Sequence, residues 1–474
     1  MSCSLSVYER EKTREEFQVR VKRKEKVVPI HHIIEHRLPL SNLDLLLPPE
    51  DVGVFFYYKC PNYGSRFSSF GQLVSTLKTA LAQALVHFYV FSSEVVHNSK
   101  GEVELMCNNQ GVEFTEVYAD VELYDDLNLY NPDVSVEGKL LPKKNKQRNV
   151  FSVQATKLKC GGIVVGCTFD HRVADAYSTN MFLVSWAEIA NSKPISMVPS
   201  FTRSLLNARY PCLYDPSLNE MYVPISSLTL GKNELLSSKH EPLVSRIYHV
   251  NAKEIDYIQS QAEGTKLESF SAFMWKLISK HASITEGNPS IGSSRMCKMG
   301  IVVDGRTRLG NKGNCNKQKR LISSYFGNVL SIPFSEKRIC DLNSKPLNWV
   351  AQEVQKIVEK AVNNVHFPDL VDWIEVHRPE PCLAKIYSSG TDDGPAFVMS
   401  SGQRFPISKV DFGWGKPMFG SYHFPWDGNA GYVMPMVSST ENGDWIVYMH
   451  LTEGQLKFIE KEASHVFNHY KLSR

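Results

Sequence analysis

Five prolines (Pro194, Pro199, Pro211, Pro216 and Pro224) punctuate residues 191–225, and no apolar periodicity survives between them. Such a stretch can continue neither a helix nor a central strand, so it reads as a crossover that divides the 474-residue chain. Strand-like and helix-like runs alternate on both sides. Ahead of it, 26–38 reads as extended and Val52–Lys59 as a strand. Ser69–Phe88 reads as an amphipathic helix, because Leu73, Leu77, Leu81 and Leu85 recur every four residues. Glu102–Met106 and Val112–Tyr118 read as short strands joined across Asn108–Gly111, and Phe151–Leu158 with Ile163–Phe169 as a hairpin through Lys159–Gly162. Beyond the crossover come a strand near 245–250, a helix around Phe270–His281, a strand Lys298–Val303, a helix 347–363, strands 430–437 and 445–451, and a closing helix 454–470. The expectation is an α/β fold. Residues 1–190 and 229–474 form two mixed-sheet domains of similar size, 191–228 link them, and a ligand cleft lies between.

Composition narrows the function. Fifty-three Lys and Arg against fifty Asp and Glu leave a net charge of +3, too small for a nucleic-acid footprint. The basic run Arg20–Lys26 is interleaved with Val21 and Glu25 and reads as a solvated edge strand. Ten scattered cysteines contain no CxxC pair, which argues against a structural zinc cluster or a disulfide framework and fits a reducing compartment. The N-terminus has no apolar signal region and no segment is a membrane-spanning run. The one Asn-x-Ser match, Asn288-Pro289-Ser290, is blocked by its proline. A cytoplasmic monomer with no metal and no bound cofactor is expected.

Two places can carry chemistry. The Val/Ile-rich strand ending at Asp170 hands over through His171-Arg172-Val173-Ala174-Asp175 to a helix with apolar residues at 182, 183 and 186. A histidine fixed by backbone on both sides can present one ring nitrogen to a cleft, as a general base must. Asp175, at the helix start, reads as a cap that turns away and fixes the turn by pairing with an arginine elsewhere. Near the C-terminus, Asp411-Phe412-Gly413-Trp414-Gly415 alternates glycines with aromatics, so backbone can approach closely beside large rings. Its aspartate reads as a structural partner or a proton acceptor. A competing motif, His32-Ile33-Ile34-Glu35-His36, matches the H-x-x-E-H of inverted zinc proteases but requires a helix, and Pro29, Pro39 and the β-branched neighbours favour extended chain.

HxxxD in the middle with DFGWG near the end resembles the BAHD superfamily of plant CoA-dependent acyltransferases. The resemblance runs through Leu40–Asp44, Leu77–Tyr89, Ser269–Lys276, Asp304–Arg308 and Tyr325–Asn328. It implies a fold of the chloramphenicol-acetyltransferase type with a solvent channel between the domains. It also implies acyl-CoA as co-substrate and His171 as base, with Asp175 and Asp411 as further catalytic candidates. Asp175 would pair with Arg306 or Arg308. Lys266, Ser269 and Arg306 become candidates for the CoA side, Ser400 and Ser401 for the acyl or acceptor side, and Trp414 for cofactor binding. Departures are Ala176 for the usual Gly, Val90–Glu94 for Pro-Leu-Ala-Gly-Arg, and Ser400-Ser401-Gly402 where shikimate-type members carry Thr-Ser-Trp. In texture the chain looks closest to the coniferyl-alcohol acyltransferase branch, which implies O-acylation of a small aromatic alcohol. Hydroxycinnamoyl transfer to shikimate, quinate or a polyamine is the alternative, and a non-catalytic ligand-binding member is the alternative of another class.

Overall fold

Ile163–Asp170 is buried at every position, as a strand enclosed on both faces must be. It sits inside a six-stranded sheet whose order is Val19–Val27, Val112–Ala119, Phe151–Leu158, Ile163–Asp170, Asp51–Tyr58 and Phe419–His423. All neighbours run antiparallel except Val112–Ala119 with Phe151–Leu158. The computed structural model describes residues 17–61, 67, 69–122, 127–143, 149–227, 241–285, 295–309, 316–388, 394–426 and 428–471.

A second sheet of seven strands takes the order Phe334–Arg338, Met296–Ile301, Ala396–Met399, Gly431–Val437, Trp445–Thr452, Leu243–Val250 and Asn468–His469. Helices cover it: Lys266–Thr285 buries Phe270, Met274, Trp275 and Ile278, and Leu347–Val362 buries Val350, Val354 and Ile357. On the first sheet Phe70–His87 packs against Ala176–Ala190, where the Trp186 Nε1–H donates to the Leu77 carbonyl at 3.0 Å. One apolar core fills the first lobe and runs on to the near face of the second sheet through Val398, Met434, Met436 and Tyr448, and a second core lies between that sheet and its helices.

Several expectations are met and several are displaced. The hairpin through 159–162, the helix from Ser69, and the basic edge strand, which among the described residues pairs with Val112–Ala119 alone, are all present. The strands flanking Asn108–Gly111 go to different sheets: Val103–Cys107 pairs with His36–Pro39 and Glu94–His97, whereas Val112–Ala119 joins the large sheet. Asn109 (φ 57°) and Gly111 (φ 80°) turn the chain between them. The last helix stops at Glu462 instead of 470. Strand Phe419–His423, from the segment expected to build the second domain, instead completes the first sheet beside Asp51–Tyr58. The sequence cut at 191–228 therefore does not separate the two sheets.

Candidate active site

The His171 turn is held from several sides at once. Its amide donates to the Glu50 carbonyl at 3.0 Å, and its carbonyl accepts from Asn328 Nδ2 at 2.9 Å. Asn328 is itself fixed by Asp44, whose Oδ1 accepts from the Asn328 amide at 2.7 Å and from Nδ2 at 3.0 Å. Asp170 grips the next residue, accepting from Arg172 Nη2 at 2.7 Å. The His171 ring stands edge-on to Phe424, centroids 5.8 Å apart. Nδ1 is buried and no described group meets hydrogen-bond geometry with it. Burial holds the imidazole pKa below its ordinary value, against the opposing pull of its own carbonyl and the Asp175 and Asp170 carboxylates.

Asp175 caps helix Ala176–Ala190, accepting from the Ser178 amide at 2.8 Å, and turns away from the ring. Of the two arginines expected to pair with it, Arg306 does. Nη1 donates to Oδ2 at 2.8 Å and Nη2 to Oδ1 at 3.1 Å, a bidentate pair with Asp175 1% and Arg306 3% exposed. Arg306 Nη2 also donates to the Gly327 carbonyl at 2.8 Å and to Ser178 Oγ at 3.0 Å. Sequence blocks around 44, 171–178, 304–308 and 325–328 thus meet in one buried network behind the histidine.

That network corrects the CoA assignment of Arg306, whose guanidinium is enclosed and wholly engaged with protein acceptors. Ser269 is also corrected: it is fully buried in helix Lys266–Thr285, with no surface to offer a ligand. Lys266 opens the same helix, half-buried and paired with Asp256 at 2.7 Å. Asp411 braces its own loop. Its Oδ1 accepts from the Gly413 amide at 2.7 Å and the Gly415 amide at 3.0 Å, both glycines at positive φ (104° and 115°). Trp414 stacks with Phe412 and meets Tyr58 and Phe67 edge-on, again away from the histidine.

A cavity of about 310 Å³ opens on His171 between the two sheets. From the first lobe it takes Val52, Phe169, Tyr177 and Asn180; from later in the chain it takes Ser400, Ser401, Tyr422, Phe424, Trp426 and Tyr432. Of the residues expected at the site, His171, Ser400 and Ser401 come together here, and Lys266, Ser269, Arg306, Asp411 and Trp414 do not. The aromatic wall from Tyr422, Phe424, Trp426 and Tyr432 went unread. Alternation along Phe419–His423 was its one available signal. The H-x-x-E-H segment lies in extended chain entering strand His36–Pro39, so its histidines do not share a helical face.

Two mixed-sheet lobes with a histidine lining the cavity between them make a fold of the chloramphenicol-acetyltransferase type. Residues 17–466 match the model of the transferase family, and the chain belongs to that family, the BAHD acyltransferases. Among curated relatives, a hydroxycinnamoyltransferase of Narcissus pseudonarcissus is 28% identical, covering 93% of this chain and 98% of its own. A shikimate O-hydroxycinnamoyltransferase of Nicotiana tabacum is 26% identical, covering 94% and 99%. Among solved structures, vinorine synthase superposes with a TM-score of 0.69 at 18% identity, covering 96% of this chain and all of its own. The F. graminearum TRI101 complex with coenzyme A and T-2 mycotoxin gives 0.69 at 13% identity, covering 91% and 99%. Among the described residues no helix is long and apolar enough to cross a membrane.

Proposed function

We propose that this acyltransferase moves an acyl group from a CoA thioester to the hydroxyl of a small aromatic alcohol of the phenylpropanoid type. Coniferyl alcohol is the first candidate. The observation that carries the reading is the half-buried, neutral-leaning His171 at the aromatic cavity between the lobes. His171 takes the acceptor's hydroxyl proton while the oxygen forms its bond to the thioester carbonyl carbon. As the tetrahedral adduct collapses, the C–S bond breaks, and the imidazolium returns the proton to the CoA thiolate. Aligning the two bound substrates supplies much of the remaining acceleration. Lys266, half-buried at a helix start, is the remaining candidate for the CoA phosphates.

The lining favours an uncharged acceptor. Arg404, the cation among the described cavity-lining residues, stands 3.4 Å from Asp304, which Arg306 also reaches at 3.2 Å, so an acceptor carboxylate such as that of shikimate would find that cation already paired. Gly402, where shikimate-type members carry tryptophan, is pressed against the second lobe. A Cβ there would stand 2.3 Å from Met436 Cγ and 2.8 Å from the Pro435 carbonyl. That close approach leaves no room for an indole at this position.

The test is thiol release with acetyl-, malonyl- and hydroxycinnamoyl-CoA, each offered coniferyl alcohol, shikimate or spermidine. Turnover should be at least tenfold faster with coniferyl alcohol. Faster turnover with shikimate or spermidine rejects the acceptor class, and no thiol release with any pair rejects catalysis. The pH profile follows from the histidine. Only the neutral ring accepts a proton, and burial lowers its pKa. Activity should therefore hold down to about pH 6.5, the ordinary histidine value, and fall only as pH drops through the lowered one. A decline already complete above neutrality would assign the essential ionisation elsewhere.

A further inference from the structure

Strand Phe419–His423 borders the cavity on one face only. Tyr422 and Phe424 line the cavity, and the strand's alternation turns His423, between them, to the opposite side. There His423 is 2% exposed, and neither ring nitrogen has a hydrogen-bond partner among the described residues. Leaving both nitrogens of a buried imidazole unpaired is costly, so the arrangement asks for a ligand.

Two carboxylates from the first half of the chain face the same space. Asp133 Oδ1 stands 3.9 Å and Glu137 Oε2 3.6 Å from His423 Nε2, and Asp133 Oδ1 is itself buried and unpaired. These separations are too long for hydrogen bonds. They suit a shared ion, because two ligands each about 2.1 Å from zinc stand roughly 3.4 Å apart at the tetrahedral angle. All three ligand atoms lie within 4.8 Å of one another. Glu137 is exposed and gives an entry path from solvent.

We propose that Asp133, Glu137 and His423 bind a divalent cation of the zinc class, with water completing the coordination, and that this ion ties the Pro132–Ser135 helix and the residues just after it to strand Phe419–His423 behind the cavity wall. One imidazole and two carboxylates form a borderline-hard donor set that zinc accepts. The other Asp133 oxygen, Oδ2, accepts from the Ser245 amide at 2.6 Å, at the start of a strand of the seven-stranded sheet. The site therefore joins the short helix Pro132–Ser135, which lies in the chain between two strands of the first sheet, to the strand that completes that sheet, and Asp133 carries the contact on to strand Leu243–Val250 of the second sheet. It lies on the far side of the cavity wall from His171 and takes no part in acyl transfer.

The test is zinc content after equilibrium dialysis of the intact protein, read by elemental analysis, together with the melting temperature with and without added zinc. The wild type should hold one zinc per chain more than Glu137→Gln, and added zinc should raise its Tm by several degrees but leave that variant unmoved. Because Glu137 is exposed, the substitution should leave the fold intact. Asp133→Asn, which keeps an oxygen for the Ser245 amide, provides a second variant with the same expected loss. Equal zinc content in wild type and both variants, at any value, overturns the proposal, as does an equal Tm response.

Discussion

His171→Ala should lower kcat by about 10²–10⁴-fold, the usual worth of a positioned base. The donor's KM and the melting temperature should stay near wild type. The reason for so clean a separation is that the ring takes no hydrogen bond from the described residues through its buried Nδ1. The turn is held instead through backbone, by the Glu50 carbonyl and by Asn328 Nδ2, and alanine preserves both bonds. Loss of a group that acts on the moving proton reduces kcat and kcat/KM together. Single-turnover thiol release and a thermal melt on the same preparation check both halves. Undiminished turnover would remove the histidine from the chemistry, and a large fall in Tm would make it a packing residue.

The second large effect lies behind the histidine. Arg306→Met should destabilise the protein by about 3–5 kcal/mol, because it leaves the Asp175 carboxylate buried with only amide donors for company. With helix Ala176–Ala190 and the 327–329 turn both anchored on Asp175, activity should fall as well. Asp175→Asn should act in the same direction but cost less, because the guanidinium keeps the Asp304 carboxylate at 3.2 Å beside the Tyr325 and Gly327 carbonyls. The double variant should cost less than the sum of the singles, because it removes both members of the pair. Denaturant melts of the three variants measure the coupling. Singles that each lie within about 0.5 kcal/mol of wild type, the range of ordinary surface changes, would show that the pair holds nothing.

What could be read in advance was what is local. The strand before His171, the helix after it and the capping role of Asp175 all follow from residues within a few positions of one another. The arginine partner of Asp175 came from a recognised block, not from periodicity. Long-range pairings stayed hidden. Nothing in Phe419–His423 announces that it pairs with Asp51–Tyr58, and nothing in Val103–Cys107 separates it from Val112–Ala119. Composition hinted at glycine-rich close approach around 411–415, but only the hydrogen bonds from Gly413 and Gly415 identify Asp411 as a brace. Arg306 and Ser269 were misplaced for one reason: a motif gives a residue's neighbourhood but not which way its polar atoms point. The His423 group has no motif spacing at all, since His423 lies nearly three hundred residues beyond Asp133 and Glu137 in the chain and meets them only in the fold.

The late arrival of Phe419–His423 also bears on how this chain is made. Until most of the polypeptide has been synthesised, Asp51–Tyr58, with Val54, Phe55, Phe56, Tyr57 and Tyr58 almost wholly enclosed in the finished protein, offers an open row of amides and carbonyls along one side. An open apolar rim of this kind recruits any extended segment that passes, including another nascent chain. The first lobe is thus a poor candidate for expression by itself. Ribosome-bound intermediates of this enzyme carry an aggregation hazard that ends only when the closing strand docks.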